Sequence, residues 1–256
     1  MTARHPYLDW PGPIPFAHRG GAGDWPENTM PAFEGAVALG YHYVETDVHA
    51  TSDGVLLAFH DDVLDRVTDR AGTIAELPWS VVREAKVAGR EPIPRFEDLL
   101  GAWPDLRVNV DPKHDAAVAP LADALRRAGA LDRVCVGSFS DARLTRLRRE
   151  LGPGLCTALT RKATARLRAA SIAGGRLAGR IAGLCAQVPV AYRGVPLVDA
   201  RFVTTAHARE VQVHVWTIDE EEEMHRLLDL GVDGIMTDRP AVLRAVLEAR
   251  GQWVAP

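Results

Sequence analysis

Residues 41–60 read YHYVETDVHATSDGVLLAFH, and the first half of this stretch decides how the rest of the chain is understood. Val44, Thr46 and Val48 alternate with Glu45, Asp47 and His49, which is the period of two of a β-strand. Successive side chains on a strand point to opposite faces, so Glu45 and Asp47 share a face near the strand's end. Two neighbouring carboxylates repel each other unless a cation lies between them. A solvated polar face on a half-exposed strand is the simpler explanation for such a pair taken alone. His60 follows a second apolar run, Val55–Phe59, and carboxylates beside a histidine make a set suited to a metal ion and a proton.

Outward from this stretch the chain alternates. Apolar, strand-like runs occur at 14–18, 41–48, 106–111, 134–138, 154–159, 183–187, 211–217 and 233–237. Amphipathic helical stretches lie between most of them, at 30–39, 115–128, 140–150, 160–169, 199–209, 219–229 and 240–250. Eight strands alternating with helices predict an α/β fold of the (β/α)8 TIM barrel type. No Gly-rich turn follows the first run, which argues against a doubly wound dinucleotide-binding sheet.

The rhythm breaks once. More than forty residues separate His60 from the third strand. They include the polar stretch Asp61–Gly72, helical pieces near Trp79–Lys86 and Arg95–Leu100, and the breakers Pro78, Pro92 and Pro94. This predicts one domain over residues 1–256 with a small insertion after the second strand, at approximately 61–95, lying over the barrel mouth. Residues 1–13 read as an irregular arm closed by Pro11 and Pro13.

Composition excludes more than it selects. The chain is 47% hydrophobic and 25% charged with a net charge of −4, so nothing global points to nucleic acid or a membrane surface. Only three of its 30 basic residues are lysines (Lys86, Lys113 and Lys162), a source bias rather than a binding patch. Cys135, Cys156 and Cys185 sit in separate apolar runs without zinc-type spacing and are expected as buried free thiols. No apolar leader segment and no run of membrane-spanning length is visible, so a cytoplasmic location is expected.

In a barrel of this type the chemistry sits at the C-terminal ends of the strands. Those ends carry His18-Arg19-Gly20 on the first strand, Glu45 and Asp47 on the second, and Asn109, Asp111 and Lys113 on the third. The fourth ends in Ser138-Phe139, the seventh in Trp216-Thr217, and the eighth in Thr237-Asp238-Arg239. Glu45, Asp47 and Asp111 supply hard oxygen donors, which suit a divalent metal such as Mg2+ or Ca2+. Arg19 offers a planar fork to a phosphate and Lys113 a point charge beside it. His18 and His60 are the candidate base and acid, because imidazole titrates near working pH. Metal, two cations and two histidines around one cavity describe phosphodiester cleavage.

Each residue also has a plainer role. His18 could sit in the core, Arg19 in a surface ion pair and His60 in a turn; Trp216 divides evenly between packing and a substrate-facing wall. His5, His42, His207, His214 and His225 are read as structural or solvated.

Taken in order, the motifs resemble the glycerophosphodiester phosphodiesterases over nearly the whole chain. The resemblance rests on AHRG (Ala17–Gly20), PENT (Pro26–Thr29), AFEGAVALG (Ala32–Gly40) and ETDVHATSDG (Glu45–Gly54). FHDDVLDRVTDRAG (Phe59–Gly72), SF (Ser138-Phe139), VWT (Val215–Thr217) and GVDGIMTDRP (Gly231–Pro240) complete it. It implies a TIM barrel with an insertion after the second strand's histidine. It implies His18 and His60 as the acid–base pair, Glu45 and Asp47 as ligands of a divalent metal, and Arg19 and Lys113 as phosphate holders. The implied substrates are small glycerol phosphodiesters such as glycerophosphocholine, cleaved to glycerol 3-phosphate and an alcohol. Attack by a neighbouring glycerol hydroxyl, through a cyclic phosphate that water then opens, is one implied route.

One position departs from the pattern. The family's third metal ligand is usually Glu in N-x-E-x-K, whereas this chain reads Asn109-Val110-Asp111-Pro112-Lys113. Asp-x-Lys at this point resembles the sphingomyelinase D-like phosphodiesterases, so a lysophospholipid or sphingolipid phosphodiesterase of the same fold is the nearest alternative. A non-catalytic phosphate-binding barrel is the alternative from another class, disfavoured by the paired histidines. The stretch 161–187 holds six basic residues (Arg161, Lys162, Arg166, Arg168, Arg176, Arg180), no acid, and Gly174, Gly175 and Gly179. A solvated helix face is the favoured explanation, ahead of a platform for anionic lipid. The run Asp219–Glu223 reads as an acidic first helical turn.

Overall fold

A computed structural model describes residues 4–174 and 181–254. Its eight barrel strands are β1 Ile14–Ala17, β2 Tyr43–Ala50, β3 Arg107–Pro112, β4 Val134–Val136, β5 Cys156–Thr157, β6 Cys185–Pro189, β7 Gln212–Trp216 and β8 Gly234–Thr237. They pair in parallel in the order β5-β4-β3-β2-β1-β8-β7-β6, and a parallel bridge between Ala158 and Cys185 joins the two ends. The sheet is therefore a nearly closed parallel barrel, with each predicted strand present.

Among the described residues one helix follows each barrel strand, apart from a short Trp79–Val82 turn of helix in the insertion: α1 Met30–Ala38, α2 Phe96–Ala102, α3 Val118–Arg127, α4 Asp141–Leu151, α5 Arg161–Ile172, α6 Ala200–His207, α7 Glu221–Asp229 and α8 Pro240–Ala249. Local chemistry starts several of them. Thr29, Ser140, Thr160 and Asp199 each accept a backbone N–H of the first turn, satisfying a donor the helix itself cannot. On α3 the buried residues Val118, Leu121, Ala122 and Leu125 recur at three- and four-residue spacing, the stripe that seats a helix on a sheet.

The apolar side chains form distinct layers. One cluster packs α1–α4 on the outside of the barrel and a second packs α5–α8. A third fills the interior with Phe16, Tyr43, Cys135, Cys156, Cys185 and Met236, closed from below by Tyr7 and Leu8 of the N-terminal arm. The cysteines are free and buried as expected, and the barrel interior brings Cys135 Sγ and Cys185 Sγ to 3.8 Å of each other.

β2 is longer than its neighbours. Its last residues, Val48–Ala50, pair antiparallel with Leu56–Ala58, and Phe59 N donates to Asp47 O at 2.9 Å. This fold-back returns His60 to the strand ends. Beyond it, Leu64, Ile74, Val82, Val87 and Ile93 make a small cluster with Leu57 and Phe59. Two helical expectations shift here. The helix expected over 79–86 ends at Val82, and Lys86–Val87 pairs with Glu91–Pro92 instead. Lys86 N donates to the Asp69 carboxylate, which takes that residue out of a helical ladder. The second piece, Phe96–Ala102, buries Phe96, Leu99 and Leu100 in the outer layer of the barrel, so it serves as the helix preceding β3.

Candidate active site

The C-terminal ends of β1, β2, β3 and β8 bring the charged strand-end residues to one mouth. β2 and β3 run in register with Glu45 beside Asn109 and Asp47 beside Asp111. Glu45 and Asp47 are 5% and 1% exposed, which overturns the solvated-face explanation for this pair. Thr46 points the other way, its hydroxyl donating to Asn28 Oδ1 at 2.8 Å.

Lys113 organises the acids. Its Nζ lies 2.7 Å from Asp47 Oδ1 and 2.9 Å from Asp111 Oδ2. Arg19 Nε lies 3.3 Å from Asp47 Oδ2, and Arg19 Nη1 donates to Glu27 Oε1 at 3.0 Å. The turn carrying Arg19 is unusual: Arg19, Gly20 and Gly21 have φ of 50°, 81° and 102°, a left-handed run that L-residues avoid without support. Support comes from Arg19 N, which donates to Glu45 Oε2 at 3.3 Å, and from Asn28 N, which donates to Arg19 O at 2.9 Å.

Both histidines are oriented by carboxylates. His18 Nδ1 stands 2.6 Å from Asp238 Oδ1, and its Nε2 lies 3.7 Å from Glu45 Oε2. His60 Nδ1 stands 2.5 Å from Asp61 Oδ1. A carboxylate at Nδ1 selects the Nδ1–H tautomer and leaves Nε2 for proton exchange. The backbone of His60 is held as well, since His49 Nε2 meets its carbonyl at 3.0 Å.

Burial and charge set the titration of the group. Burial and then the Asp47 charge push Glu45 above the usual carboxylate range. Burial acts upward on Asp47 too, but Lys113 outweighs it and holds Asp47 low. For Asp111 burial wins over Lys113 and the carboxyl is raised. Burial alone would lower Lys113, yet Asp47 and Asp111 raise it above its ordinary value. His18 behaves likewise, with burial opposed and overcome by Glu45 and Asp238.

Trp216, at the end of β7, is partly buried and meets Phe139 edge-on, with ring centroids 5.8 Å apart. Phe139 is 57% exposed. The two rings form an apolar wall reaching from the end of β4 to the end of β7. Below it, Gln187 of β6 donates to Asn109 Oδ1 at 2.7 Å. A Cβ on Gly137 would stand 2.8 Å from Gln187 Oε1, so the small residue leaves room for that cross-barrel bond.

The expected candidates therefore gather at one mouth, but the pattern at the strand ends leaves out their partners. Asp61 and Glu27 lie in recognisable motifs without an evident role, and Asp238 is visible only as a polar strand end. Arg66 in the insertion carries no signal beyond its charge, yet it donates to both Glu27 and Asp61. The basic stretch is partly spoken for: Arg161 donates to Tyr192 Oη, Lys162 lies 3.8 Å from Asp141 and Arg168 pairs with Asp199. Gly175, Arg176, Gly179 and Arg180 lie outside the described residues. No helix among the described residues is long and apolar enough to cross a membrane.

Comparison with known proteins gives a consistent result. The model of the glycerophosphoryl diester phosphodiesterase family matches residues 18–242. The chain is 42% identical over 253 residues to a "probable glycerophosphodiester phosphodiesterase 2" of Mycobacterium tuberculosis (strain ATCC 25618 / H37Rv), covering 96% of this chain and 95% of that protein. It is 27% identical to human lysophospholipase D GDPD1, covering 90% of this chain and 85% of the relative. Among solved structures it resembles an Oleispira antarctica phosphodiesterase in complex with the product sn-glycerol-3-phosphate. The TM-score is 0.78 at 22% identity, covering 93% of this chain and 97% of that one.

Proposed function

The chain belongs to the glycerophosphoryl diester phosphodiesterase family, and we propose that it cleaves glycerophosphodiesters by metal-assisted acid–base catalysis between His18 and His60. It is a glycerophosphodiester phosphodiesterase with a small-molecule substrate. The observation that carries the catalytic reading is the pairing of both histidines with carboxylates, at one mouth that also holds Arg19 and Lys113.

The donor set fits a divalent cation. Asp47 Oδ2 and Asp111 Oδ1 are buried without a hydrogen-bond partner, Asp47 Oδ2 meeting only the Arg19 guanidinium at 3.3 Å, and a buried carboxylate oxygen short of partners is costly. Glu45, Asp47 and Asp111 are the residues that would hold the ion, with Mg2+ or Ca2+ suited to their hard oxygens. Among the described residues no three such side chains already enclose a point where an ion could sit; Lys113 Nζ stands between Asp47 and Asp111. When bound, the cation supplies electrostatic stabilisation of charge developing on the phosphoryl oxygens.

The chain's own residues supply the rest. Arg19 and Lys113 hold the phosphate, the guanidinium by its fork and the ammonium as a point charge. One imidazole accepts the proton of the attacking hydroxyl at Nε2 while the other donates a proton to the leaving alcohol. The Nδ1 carboxylates keep both rings turned for this transfer and stabilise whichever becomes imidazolium. Trp216 faces the glycerol or alcohol portion of the substrate.

Release of glycerol 3-phosphate from glycerophosphocholine, measured with Mg2+, with Ca2+ and with chelator, tests this directly. Turnover that requires a divalent ion and is lost in His18→Ala and Asp111→Ala is expected; chelator-resistant turnover would exclude the metal. A second substrate is favoured by the exposed Phe139 beside Trp216, which offers an apolar wall to an acyl chain. Lysophosphatidylcholine assayed beside glycerophosphocholine separates the two: a higher kcat/KM for the acylated substrate would identify a lysophospholipase D.

A further inference from the structure

Arg66 lies in the insertion, outside the strand-end set, and makes four hydrogen bonds to two carboxylates. Nε and Nη2 donate to Asp61 at 2.5 and 3.2 Å, while Nη1 and Nη2 donate to Glu27 at 2.8 and 2.7 Å. Each acceptor has a second partner in the active site. Asp61 Oδ1 accepts from His60 Nδ1, and Glu27 Oε1 accepts from Arg19 Nη1. One guanidinium thus stands a single carboxylate away from both a candidate proton-transfer histidine and a candidate phosphate-holding arginine.

We propose that Arg66 is a positioning residue that sets His60 through Asp61 and Arg19 through Glu27, coupling the insertion to both parts of the catalytic apparatus. The inference rests on the phosphodiesterase mechanism above and adds a residue to it.

The physical case has three parts. The Glu27 loop and the His60-Asp61 loop are separate in sequence, and Arg66 is the side chain that bonds to the carboxylates of both. A planar guanidinium serves two carboxylates at once, which an ammonium on a flexible stem does not. The clamp also has a firm base: Leu64 is 1% exposed in the insertion's apolar cluster, and Leu64 N and Thr68 N are tied to Gly72 O and Leu64 O. Arg66 itself has a 47% exposed side chain, and an exposed ion pair adds little to stability. Its four-bond geometry is better explained by orientation than by stability. Consistent with this, the Arg66 hydrogen bonds, against the effect of burial, hold the Asp61 carboxyl down to about 2, keeping it ionised to accept from His60.

The test compares Arg66→Ala, Arg66→Lys, Glu27→Gln and Asp61→Asn with the wild-type enzyme. Asp61→Asn is expected to lower kcat with little change in KM. Glu27→Gln is expected to raise KM and weaken binding of sn-glycerol 3-phosphate. Arg66→Ala should do both, with kcat/KM down by about 10²-fold, the scale of a small misplacement in an active site. Arg66→Lys should not restore it, whereas added guanidinium should restore it in Arg66→Ala and equal sodium chloride should not. The His60 Nδ1 proton, assigned in NMR spectra by its loss in His60→Gln, should be protected in wild type and lost to exchange in Arg66→Ala. Arg66→Ala with kcat and KM within about twofold of wild type, and with product affinity and the His60 resonance unchanged, would overturn the proposal. A wild-type enzyme inactive on every phosphodiester would count against the proposed function alone, because the His60 resonance still decides the role of Arg66.

Discussion

His18 Nδ1 and Asp238 Oδ1 lie 2.6 Å apart across 220 residues of chain. β1 and β8 are parallel neighbours with Ala17 beside Thr237, so the residue after each strand faces its counterpart. Asp238 is held in turn: its backbone N–H donates to Asp219 Oδ1, which also accepts from the Thr237 hydroxyl. The pairing of the first and last barrel strands thereby fixes the partner of His18, the histidine proposed for proton transfer.

Asp238→Asn should cost kcat on the order of 10²-fold, with KM little changed. The amide keeps the size of the side chain but no longer stabilises a protonated ring. Steady-state release of glycerol 3-phosphate, alongside a thermal midpoint close to wild type, checks this. A large fall in the midpoint would assign Asp238 to structure instead.

Lys113→Met should destabilise the metal-free protein by about 3–5 kcal/mol, the cost of leaving a buried charge without its partner. Asp47 and Asp111 would then face each other with no ammonium between them. Mg2+ or Ca2+ should recover more of the thermal midpoint in the variant than in wild type, where the ammonium competes for the same oxygens. Thermal denaturation with and without the cations measures both effects.

Gly20→Ala should destabilise by more than about 2 kcal/mol. Gly20 has φ of 81°, and an added Cβ would stand 2.8 Å from Ala32 Cβ and 2.9 Å from the Ala32 carbonyl carbon. Turnover should fall as well, because this turn aims His18 and Arg19. Chemical denaturation together with the phosphodiesterase assay separates the two losses.

A pH-dependent stability effect is expected away from the active site. His207 Nε2 stands 2.7 Å from Asp233 Oδ2, and that hydrogen bond outweighs burial to raise the His207 pKa. Folding then favours the protonated ring. The contribution is complete below the ordinary histidine value and is lost as pH rises through the raised folded value. The thermal midpoint of wild type should exceed that of His207→Gln at about pH 5.5, and the gap should narrow by about pH 9. A gap that widens with pH would contradict the assignment.

The fold was legible because its signals are local. A pleat imposes a period of two and a helix a period near 3.6, so the eight strands and the stretches between them are visible as hydrophobic patterning. The strand-end charges were legible for the same reason, since Glu45 and Asp47, or Asp111 and Lys113, are two residues apart and share a face. The short hairpin near the end of the insertion, Lys86–Val87 with Glu91–Pro92, was not, because Lys86 gives its N–H to Asp69 rather than to its own helix.

What the tertiary structure decided is pairing across distance. Periodicity says which face a side chain takes but not what stands opposite. The Asp238–His18 and Arg66–Glu27 contacts, and the meeting of Cys135 with Cys185, therefore have no sequence signature. The burial of Glu45 and Asp47 belongs to the same class: a strand pattern with polar residues on one face fits a solvated sheet as well as a barrel mouth. Only closure of the barrel removes those carboxylates from water. It is that desolvation, together with the Lys113 ammonium, that moves these carboxylates away from their ordinary titration.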